Sequence, residues 1–511
     1  MKLKTPSWGL RLFLFSTLLI FLTITAFSQN RKVAGKVVDD TGNGIPNVTV
    51  TVKGSKVAVQ TDAAGAYSIE APENAILVFS SVGFTANEVS ARGNGAVNVT
   101  LTSQASKLNE VVVVGYGTQR KADLTGAVGS ISKKDFANQP FTSPDQILTG
   151  RLAGVNVTNR SGDPGAPIEV RIRGIGTAGN NQPLWIIDGI PVATNTSTIT
   201  VNTGSQTESN PLAGINPSDI ESIDVLKDAS ATAIYGARAN NGVILVTTKR
   251  GKSGTGMLTY DGHVGVAAVP KSKLFEVLNT EQYIKYQQEA FANDYSAFAS
   301  KPNVDWQDLV FKSALSTTHN LTISGGGQNA TYSFGAGYLN QDGLQPAQNF
   351  TRYSAKATSD VKVGKYLKFG ESFLLSRVER EVQSEGLDNA GYNSARNAPF
   401  FQPYTDDGEY NPANPSTTGG ATASNIFWIA DPVESGYTKL QSNKILGNIY
   451  GEIEPIKGLK YRASVGLDYN EVTGVFYQNA VDYTGIGSPR TSILVNEQPK
   501  ESTLTLTNTL T

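Results

Sequence analysis

The residues that could carry out chemistry in this sequence are few, with His263 and His319 as its only histidines and no cysteine. Without cysteine there is no thiol nucleophile, no disulfide, no Cys-ligated zinc and no iron–sulfur cluster. Two histidines do not make a multi-histidine metal site, and both fall on predicted strands where no Ser-His-Asp arrangement is supported. We therefore expect no metal, no cofactor and no enzymatic activity.

Two glycine-rich stretches resemble phosphate-binding sequences. Gly174–Gly179 fits the GxGxxG spacing and follows a predicted strand, but residues 180–183 form a loop where a dinucleotide site needs a helix N-terminus. The GKS sequence at 251–253 resembles the end of a phosphate loop, but Val246 stands where the first glycine is required. We reject both nucleotide interpretations.

The composition favours a strand-rich protein with many turns. The 511 residues include 51 Gly, and only 17% are charged. With 43 basic and 44 acidic residues, the net charge of −1 creates no basic field that would attract nucleic acid. No partner of that class is expected.

The N-terminus has the pattern of a secretory signal peptide. Lys2, Lys4 and Arg11 precede an uncharged run from Leu12 to Phe27, followed by a small-x-small cleavage site at 26–28. A run of about sixteen residues is short for a spanning helix, which needs roughly 20. We expect residues 1–28 to be removed.

The rest of the chain divides into four parts by pattern. Residues 29–106 contain short alternating strands and turns, which predict a small β-sandwich. Residues 107–122 form a separate segment with four consecutive valines. Residues 123–252 mix helices and strands as a compact α+β domain, and residues 253–511 change character again.

The α+β domain contains recognisable element signals. Helices are expected after Ser143, after Asn216 and over Asp228–Tyr235, because a cap residue or proline opens each of the first two and Gly236 ends the third. Apolar runs predict strands at Ile168–Ile172, Leu184–Ile187, Ile220–Leu226 and Val243–Thr248.

After residue 252, segments of about ten residues alternate apolar and polar positions. The predicted strands are 257–267, 316–324, 331–339, 351–361, 366–377, 443–453, 459–470 and 502–511. Short joins alternate with long ones at 268–315, 378–442 and 471–501. Ten-residue alternating strands with short turns on one side and long loops on the other are typical of an outer-membrane barrel. A large soluble β-sandwich or propeller explains the alternation but not this rhythm.

Four motifs resemble the SusC/RagA family of TonB-dependent outer-membrane transporters. In family order they are 108–128 (LNEVVVVGYGTQRKADLTGAV), VRIRG at 170–174, PLWIIDGIP at 183–191 and 215–252 (INPSDIESIDVLKDASATAIYGARANNGVILVTTKRGK). Residues 33–102 resemble the carboxypeptidase-regulatory-like domain that precedes many plugs of this family. Trp185 and Ala239-Asn240 depart slightly from the family pattern.

The resemblance implies active import through a plugged barrel in the outer membrane, with the N-terminal domain in the periplasm. It implies that a TonB–ExbB–ExbD complex pulls a coupling segment, which we place at Glu110, Val111, Val112, Val113 and Val114 because an extended valine run can add to a sheet edge. An ordinary strand or linker is the alternative. Arg171 and Arg173 are expected to hold the plug to the barrel wall.

The long loops are where a substrate is expected. Aromatic rings can stack on sugars, so the candidate contacts are Phe400, Phe401, Tyr404 and Trp428, with packing between loops as the alternative. A helix predicted over Thr280–Phe291 could contact the SusD-like surface lipoprotein that the resemblance implies. Oligosaccharides and oligopeptides remain alternative substrates.

Chain length separates this sequence from the family. The resemblance implies 22 strands, which need roughly twice this chain, whereas about eight strands are visible and the last ends without the usual aromatic. We expect the N-terminal part of a longer transporter, or a truncated gene product, since an open eight-strand sheet exposes two edges to lipid. A ligand-sensing receptor and a secreted binding protein without a barrel are the alternatives.

Overall fold

The computed structural model divides the chain into two compact units, residues 1–112 with 119–124 and residues 113–118 with 125–511. The residues it describes run from 31 to 511, except for the following gaps: 40–41, 56, 73, 82–83, 92–95, 103–110, 115–116, 121–127, 138, 177–180, 195–197, 203–204, 383–389, 412–424, 426, 428–429, 432, 434–435 and 481–490. The predicted signal peptide and Glu110 therefore lie outside the described residues.

The N-terminal unit is a sandwich of two small sheets. Its strands are β1 Arg31–Val38, β2 Thr49–Val52, β3 Ala58–Gln60, β4 Ala66–Ala71, β5 Ile76–Ser80, β6 Asn87–Ser90 and β7 Val99–Thr100. The sheets have the orders β4-β1-β7 and β3-β2-β5-β6. Alternate residues such as Val50, Leu77 and Phe79 are fully buried between them, as the period of two predicts.

Two short strands follow in the chain. β8 Val111–Val114 pairs with β9 Gly117–Arg120 in a two-stranded sheet of their own. The valine run is thus extended backbone, which is the conformation that its β-branched side chains favour.

The α+β part, which we call the inner domain (described residues from Val128 to Arg250), is built on a mixed sheet of order β10-β17-β18-β13-β14. Its strands are β10 Val128–Ser132, β11 Val155–Asn159, β12 Ile168–Ile172, β13 Leu184–Ile187, β14 Ile190–Val192, β15 Thr198–Asn202, β16 Ser205–Glu208, β17 Ile220–Leu226 and β18 Val243–Thr248. The four strands predicted from apolar runs have the predicted bounds. β11 pairs with β12 and β15 with β16 as separate hairpins.

The helices of the inner domain are shorter than the sequence suggested. They are α1 Lys133–Phe136, α2 Pro144–Ile147 and α3 Ala229–Thr232, with 3₁₀ turns at Pro217–Asp219 and Ala233–Ala239. The cap and proline signals locate the first residues correctly. Two glycines with positive φ prevent the helices from continuing. They are Gly150 after α2 and Gly236 inside the second 3₁₀ turn.

The third part is a large antiparallel sheet, which we call the strand wall. Its strands are β19 Gly254–Ala267, β20 Ala314–Gly326, β21 Ala330–Asp342, β22 Asn349–Val363, β23 Leu367–Val382, β24 Gly436–Ile456, β25 Leu459–Gln478, β26 Ile493–Glu497 and β27 Lys500–Leu510. They pair in sequence order, and β26 and β27 lie end to end on one edge of β25. The eight predicted segments are therefore eight successive positions in this sheet.

The connections divide the strand wall into a short-turn side and a long-loop side. Joins of two or three residues at 327–329, 364–366 and 457–458 lie on the short-turn side. The long-loop side carries α4 Thr280–Phe291, α5 Trp306–Val310 and α6 Ala390–Arg396, with 3₁₀ turns at Lys271–Lys273 and Ser296–Phe298. Among the residues described, no helix is long and apolar enough to cross a membrane.

The two faces of the strand wall have inverted polarity. Inward positions are polar and buried, among them Asn320, Arg352, Lys356, Ser372, Lys444, Asn448 and Asp468. Outward positions are apolar and exposed, among them Leu321, Phe334, Leu375, Ile449, Val465 and Leu506. A water-soluble sheet buries its apolar face instead, so this arrangement suits an apolar surrounding and a polar interior.

The inner domain lies against the inward face of the strand wall. Its main core includes buried Ile187, Ile223 and Ile244 from three of its strands, and Leu374 and Leu446 of the wall complete that core. Apolar contacts, as well as hydrogen bonds, therefore join the inner domain to the strand wall.

Candidate functional site between the inner domain and the strand wall

Arg352 of β22 donates four hydrogen bonds to the inner domain. Its side chain is buried, and its Nη1 donates to the carbonyl oxygens of Thr142, Ala213 and Ile215, the last two at 3.1 and 3.3 Å. Its Nη2 donates to Asn216 Oδ1 at 3.4 Å. Only a guanidinium offers enough donors in one plane to serve these turns together.

Lys356 lies four residues after Arg352 on β22, closer to the short-turn side. Its Nζ donates to the carbonyl oxygen of Lys249 at 2.9 Å, and the neighbouring Arg250 forms an ion pair with Asp360 at 3.1 Å. Burial lowers the pKa of Lys249 to about 8. The two residues that follow β18 are therefore both bonded to β22.

Asp188 joins the inner domain to β23 and β24. Its carboxylate accepts from Thr248 N at 3.0 Å, Thr248 Oγ1 at 2.5 Å and Ser372 Oγ at 2.9 Å, while Asn448 Nδ2 donates to its carbonyl oxygen at 2.8 Å. Burial raises the pKa of this carboxyl, but cationic neighbours, Lys356 first, outweigh burial and hold the pKa below its ordinary value. Asp188 is thus a charged residue that is hydrogen-bonded to both the inner domain and the strand wall.

Amide side chains form a further contact in the middle of the wall. Asn216 Nδ2 donates to Asn320 Oδ1 at 2.7 Å, and Asn320 Nδ2 donates to Ser218 Oγ at 3.0 Å. Gly337 permits this approach, since a Cβ there would lie 2.4 Å from Asn216 Nδ2. The contact therefore depends on complementary polar groups, and a side chain at position 337 would not fit between them.

The long-loop end of the contact is held by Arg380. It forms an ion pair with Asp163 at 3.4 Å and donates to the carbonyl oxygen of Glu208 at 3.3 Å. Gln348 Nε2 donates to the same Asp163 carboxylate at 2.6 Å. Contacts between the inner domain and the wall therefore extend from the short-turn side to the long-loop side.

The two arginines expected to bind the wall are paired inside the inner domain. Arg171 pairs with Glu169 of its own strand, and Arg173 pairs with Asp228, each at 2.6 Å. We reassign the contact with the wall to Arg352, Lys356, Arg250 and Arg380. Spacing gave a signal that we missed, because Arg352, Lys356 and Asp360 recur every four residues on the inward face of a predicted strand.

Val111–Val114 of the predicted coupling segment form a strand, which pairs only with β9 among the described residues. A two-stranded sheet leaves the second edge of β8 available for main-chain pairing within that part of the chain. Glu110, which we assigned to the same segment, is not among the described residues.

The aromatic candidates of the long loops separate into two groups. Phe400 and Phe401 are buried, stacking on Phe298 at 4.7 Å and on Trp306 at 5.5 Å between ring centroids. They pack the loops together, which was the alternative considered for them. Tyr404 remains 46% exposed, and Trp428 falls outside the described residues.

Two known protein families match parts of this chain. Residues 120–243 match the family described as TonB-dependent Receptor Plug Domain, and residues 33–113 match the CarboxypepD_reg-like domain.

Similar proteins extend the match over most of the chain. TonB-dependent receptor SusC of Bacteroides thetaiotaomicron is 34% identical over 90% of this chain and 47% of its own length. TonB-dependent receptor P26 of Formosa agariphila is 34% identical over 87% of this chain and 43% of its own length. A chain of the RagAB peptide importer in its open-open state superposes with a TM-score of 0.66 at 25% identity, covering 78% of this chain and 46% of that chain. The chain spans about half the length of the curated relatives it matches.

Proposed function

The chain belongs to the SusC-like family of TonB-dependent receptors, and from that premise we propose that it takes part in active import of an oligosaccharide across the outer membrane. The observation that carries this proposal is the inverted polarity of the strand wall around a domain that is attached to it by many polar contacts together with Leu374 and Leu446. Such a domain would close a passage, and its polar groups can exchange these hydrogen bonds for water when it is loosened. The proposal involves no catalytic step.

Outer-membrane lipid is the first proposed partner. The outward face offers Leu321, Phe334, Ile449 and Val465 to hydrocarbon. On the inward face, the inner domain bonds Arg352, Lys356 and Ser372. Within the described residues, β19 and the β26/β27 position each have one neighbouring strand. Since an unpaired edge is not viable in lipid, the proposal requires further strands, from this protein or another copy, at both edges.

Energy coupling is proposed to act through β8. A TonB–ExbB–ExbD complex in the periplasm would pair with the free edge of Val111–Val114 and pull through main-chain hydrogen bonds. The pull would reach β10, which is an edge strand of the inner-domain sheet and pairs only with β17 among the described residues. An edge strand can be withdrawn without breaking the rest of the sheet.

Cargo and a surface lipoprotein are proposed to meet the long-loop side. The exposed ring of Tyr404 and the exposed face of α4, with Tyr286 and Phe291, supply contact surface there. A SusD-like lipoprotein is the partner we propose for α4. Oligopeptide cargo is the alternative, favoured by the likeness to a peptide importer.

The experiment compares V113P with V113T in cells that depend on an imported oligosaccharide. Proline removes the main-chain N–H and blocks strand pairing, whereas threonine retains the N–H and allows the pairing. We expect V113P to abolish energy-dependent uptake at normal outer-membrane abundance, while V113T takes up normally. Equal uptake by both variants would argue against coupling through β8.

A further inference from the structure

A groove of about 420 Å³ lies on the outward face of the strand wall, towards its long-loop side. It crosses four neighbouring strands, β22 to β25. The outward side chains that line it are polar except for Val475, and they include Glu379, Glu381, Lys439 and Gln441. Ligand sites have volumes of about 300–1,000 Å³, so the groove is large enough to hold part of a larger polar molecule.

The outward face changes from apolar to polar at one level of the sheet. The last apolar row on β23, β24 and β25 consists of the paired neighbours Leu375, Ile445 and Tyr469. The next outward row towards the long loops consists of Arg377, Asn443 and Glu471. In the other direction, every outward position of β24 from Ile445 to Ile453 is isoleucine or glycine. Because three neighbouring strands change at the same row, we place the edge of the hydrocarbon layer at this level.

The polar part of the outward face is taller than the head-group layer of a phospholipid bilayer. From Leu375 to Glu381, β23 advances six residues, which is about 20 Å along the strand and about 15 Å in height at the usual tilt of barrel strands. The head-group zone on each side of an ordinary bilayer is only about 5–8 Å thick. A lipid whose head group contains several sugar rings matches this height, whereas glycerol phosphate alone does not.

The charged groups in the groove form an exposed ion pair that can exchange partners. Lys439 Nζ lies 2.9 Å from the carboxylate of Glu381, and the two side chains are 54% and 46% exposed. Exposed pairs contribute little free energy, so a phosphate can replace the carboxylate beside Lys439 at little cost. The released carboxylate and the neighbouring Gln441 can then bond hydroxyl groups. The groove therefore offers a cation for a phosphate and acceptors for sugar hydroxyls side by side.

We propose that this groove binds the head group of a phosphorylated glycolipid in the outer leaflet of the membrane. A phosphate of the lipid binds Lys439, and sugar hydroxyls bond Glu381 and Gln441. The inference rests on the proposed location in the outer membrane. It goes beyond import, because the ligand is a lipid of that membrane and not cargo.

The test measures the binding of single lipids to the full chain by native mass spectrometry, after extraction into a detergent that contains no sugar. The probes are lipid A with its phosphates, the same lipid A after dephosphorylation, and phosphatidylglycerol as an anionic lipid without a sugar. We expect phosphorylated lipid A to bind at least about tenfold more tightly than either of the other two, because only it supplies both phosphate and sugar hydroxyls.

Variants locate the binding in the groove. K439M is expected to weaken binding of phosphorylated lipid A by about tenfold, the loss of roughly one charge-assisted hydrogen bond, whereas K439R retains it. T473W fills the groove without changing any charge and should weaken binding to a similar extent. The matched control is K457M, because Lys457 is an exposed lysine in a short turn at the opposite end of the wall. K457M should bind the lipid as the parent does.

Equal affinity for phosphorylated lipid A and phosphatidylglycerol, or unchanged lipid A binding by K439M, overturns the inference. It is also overturned if T473W loses self-association but keeps lipid A binding, since the groove then belongs to a contact with a second copy of the chain. If lipid A binding follows the expected pattern but V113P imports normally, the lipid site stands and the coupling proposal fails. If V113P blocks import and K439M binds lipid A as the parent does, the import proposal stands without this site.

Discussion

At the scale of single residues, cations that face inward from the strand wall attach the inner domain to it. Arg352 binds main-chain carbonyls of two separate turns, so it fixes backbone position rather than balancing one charge. The sequence shows such a residue as an arginine among alternating strand positions. It does not show which turns lie opposite, so the sequence alone does not distinguish Arg352 from Arg171 or Arg173 as a contact between the two parts.

Replacing Arg352 by methionine is predicted to loosen the inner domain. The substitution removes the four hydrogen bonds that Arg352 donates to the turns at 142 and 213–216 and leaves buried carbonyl groups without this donor, which costs on the order of 3 kcal/mol. Unfolding followed through Trp185 fluorescence in detergent should show an earlier inner-domain transition.

The matched control is R377M. Arg377 lies on the neighbouring strand but faces outward, with its side chain 51% exposed and paired to Glu379. This change should leave the transition in place, since exposed ion pairs contribute little. Equal effects of R352M and R377M would contradict the inward role of Arg352.

Asp145 predicts a dependence of stability on pH. Its pKa is raised by burial from 3.8 to about 6, so the folded inner domain binds more protons than the unfolded chain between these values. The stabilising contribution of Asp145 should therefore be fully present below about pH 4 and should be lost as pH rises through about 6, by about 2–3 kcal/mol in total. Denaturation of D145N should show a flatter pH profile than that of the parent or of E169Q, which makes the same acid-to-amide change elsewhere in the inner domain. Parallel profiles for all three proteins would refute this role of Asp145.

At the scale of elements, the alternation of apolar and polar residues made the strands predictable. Pairing with neighbouring strands determined where each strand ends. The predicted segments 443–453 and 459–470 became β24 and β25 of 21 and 20 residues, because the paired strands continue towards the long-loop side. The four inner-domain strands were read correctly because their apolar runs are bounded by glycine, proline or charge. Helix lengths were overestimated, since a cap residue marks where a helix begins but not how many turns the packing allows.

Glycines on the two faces of the wall should respond differently to substitution. G337V inserts a side chain facing inward, where its Cβ would lie only 2.6 Å from Ser354 Oγ, so it should separate β21 from the inner domain. G447A points outward against the ring of Phe373, which can move. We expect G337V but not G447A to make the inner domain sensitive to protease in intact membranes. Sensitivity in both, or in neither, would contradict the assigned faces.

At the scale of the whole molecule, the order of parts could be predicted from sequence and the contact between them could not. Residue pattern and four motifs indicated a sandwich, a coupling segment, a plug and the strands of a barrel. The candidate site consists of contacts between residues more than 100 positions apart, such as Asn216 with Asn320 and Asp188 with Asn448. No local pattern encodes which polar groups meet across such distances.

The most direct test of the central claim is to extract the native protein from outer membranes and measure the mass of the intact complex. The account predicts that the chain leaves the membrane only in detergent, as part of a closed barrel with a surface lipoprotein bound. A water-soluble protein that is released without detergent and carries no partner would contradict the assignment to outer-membrane import.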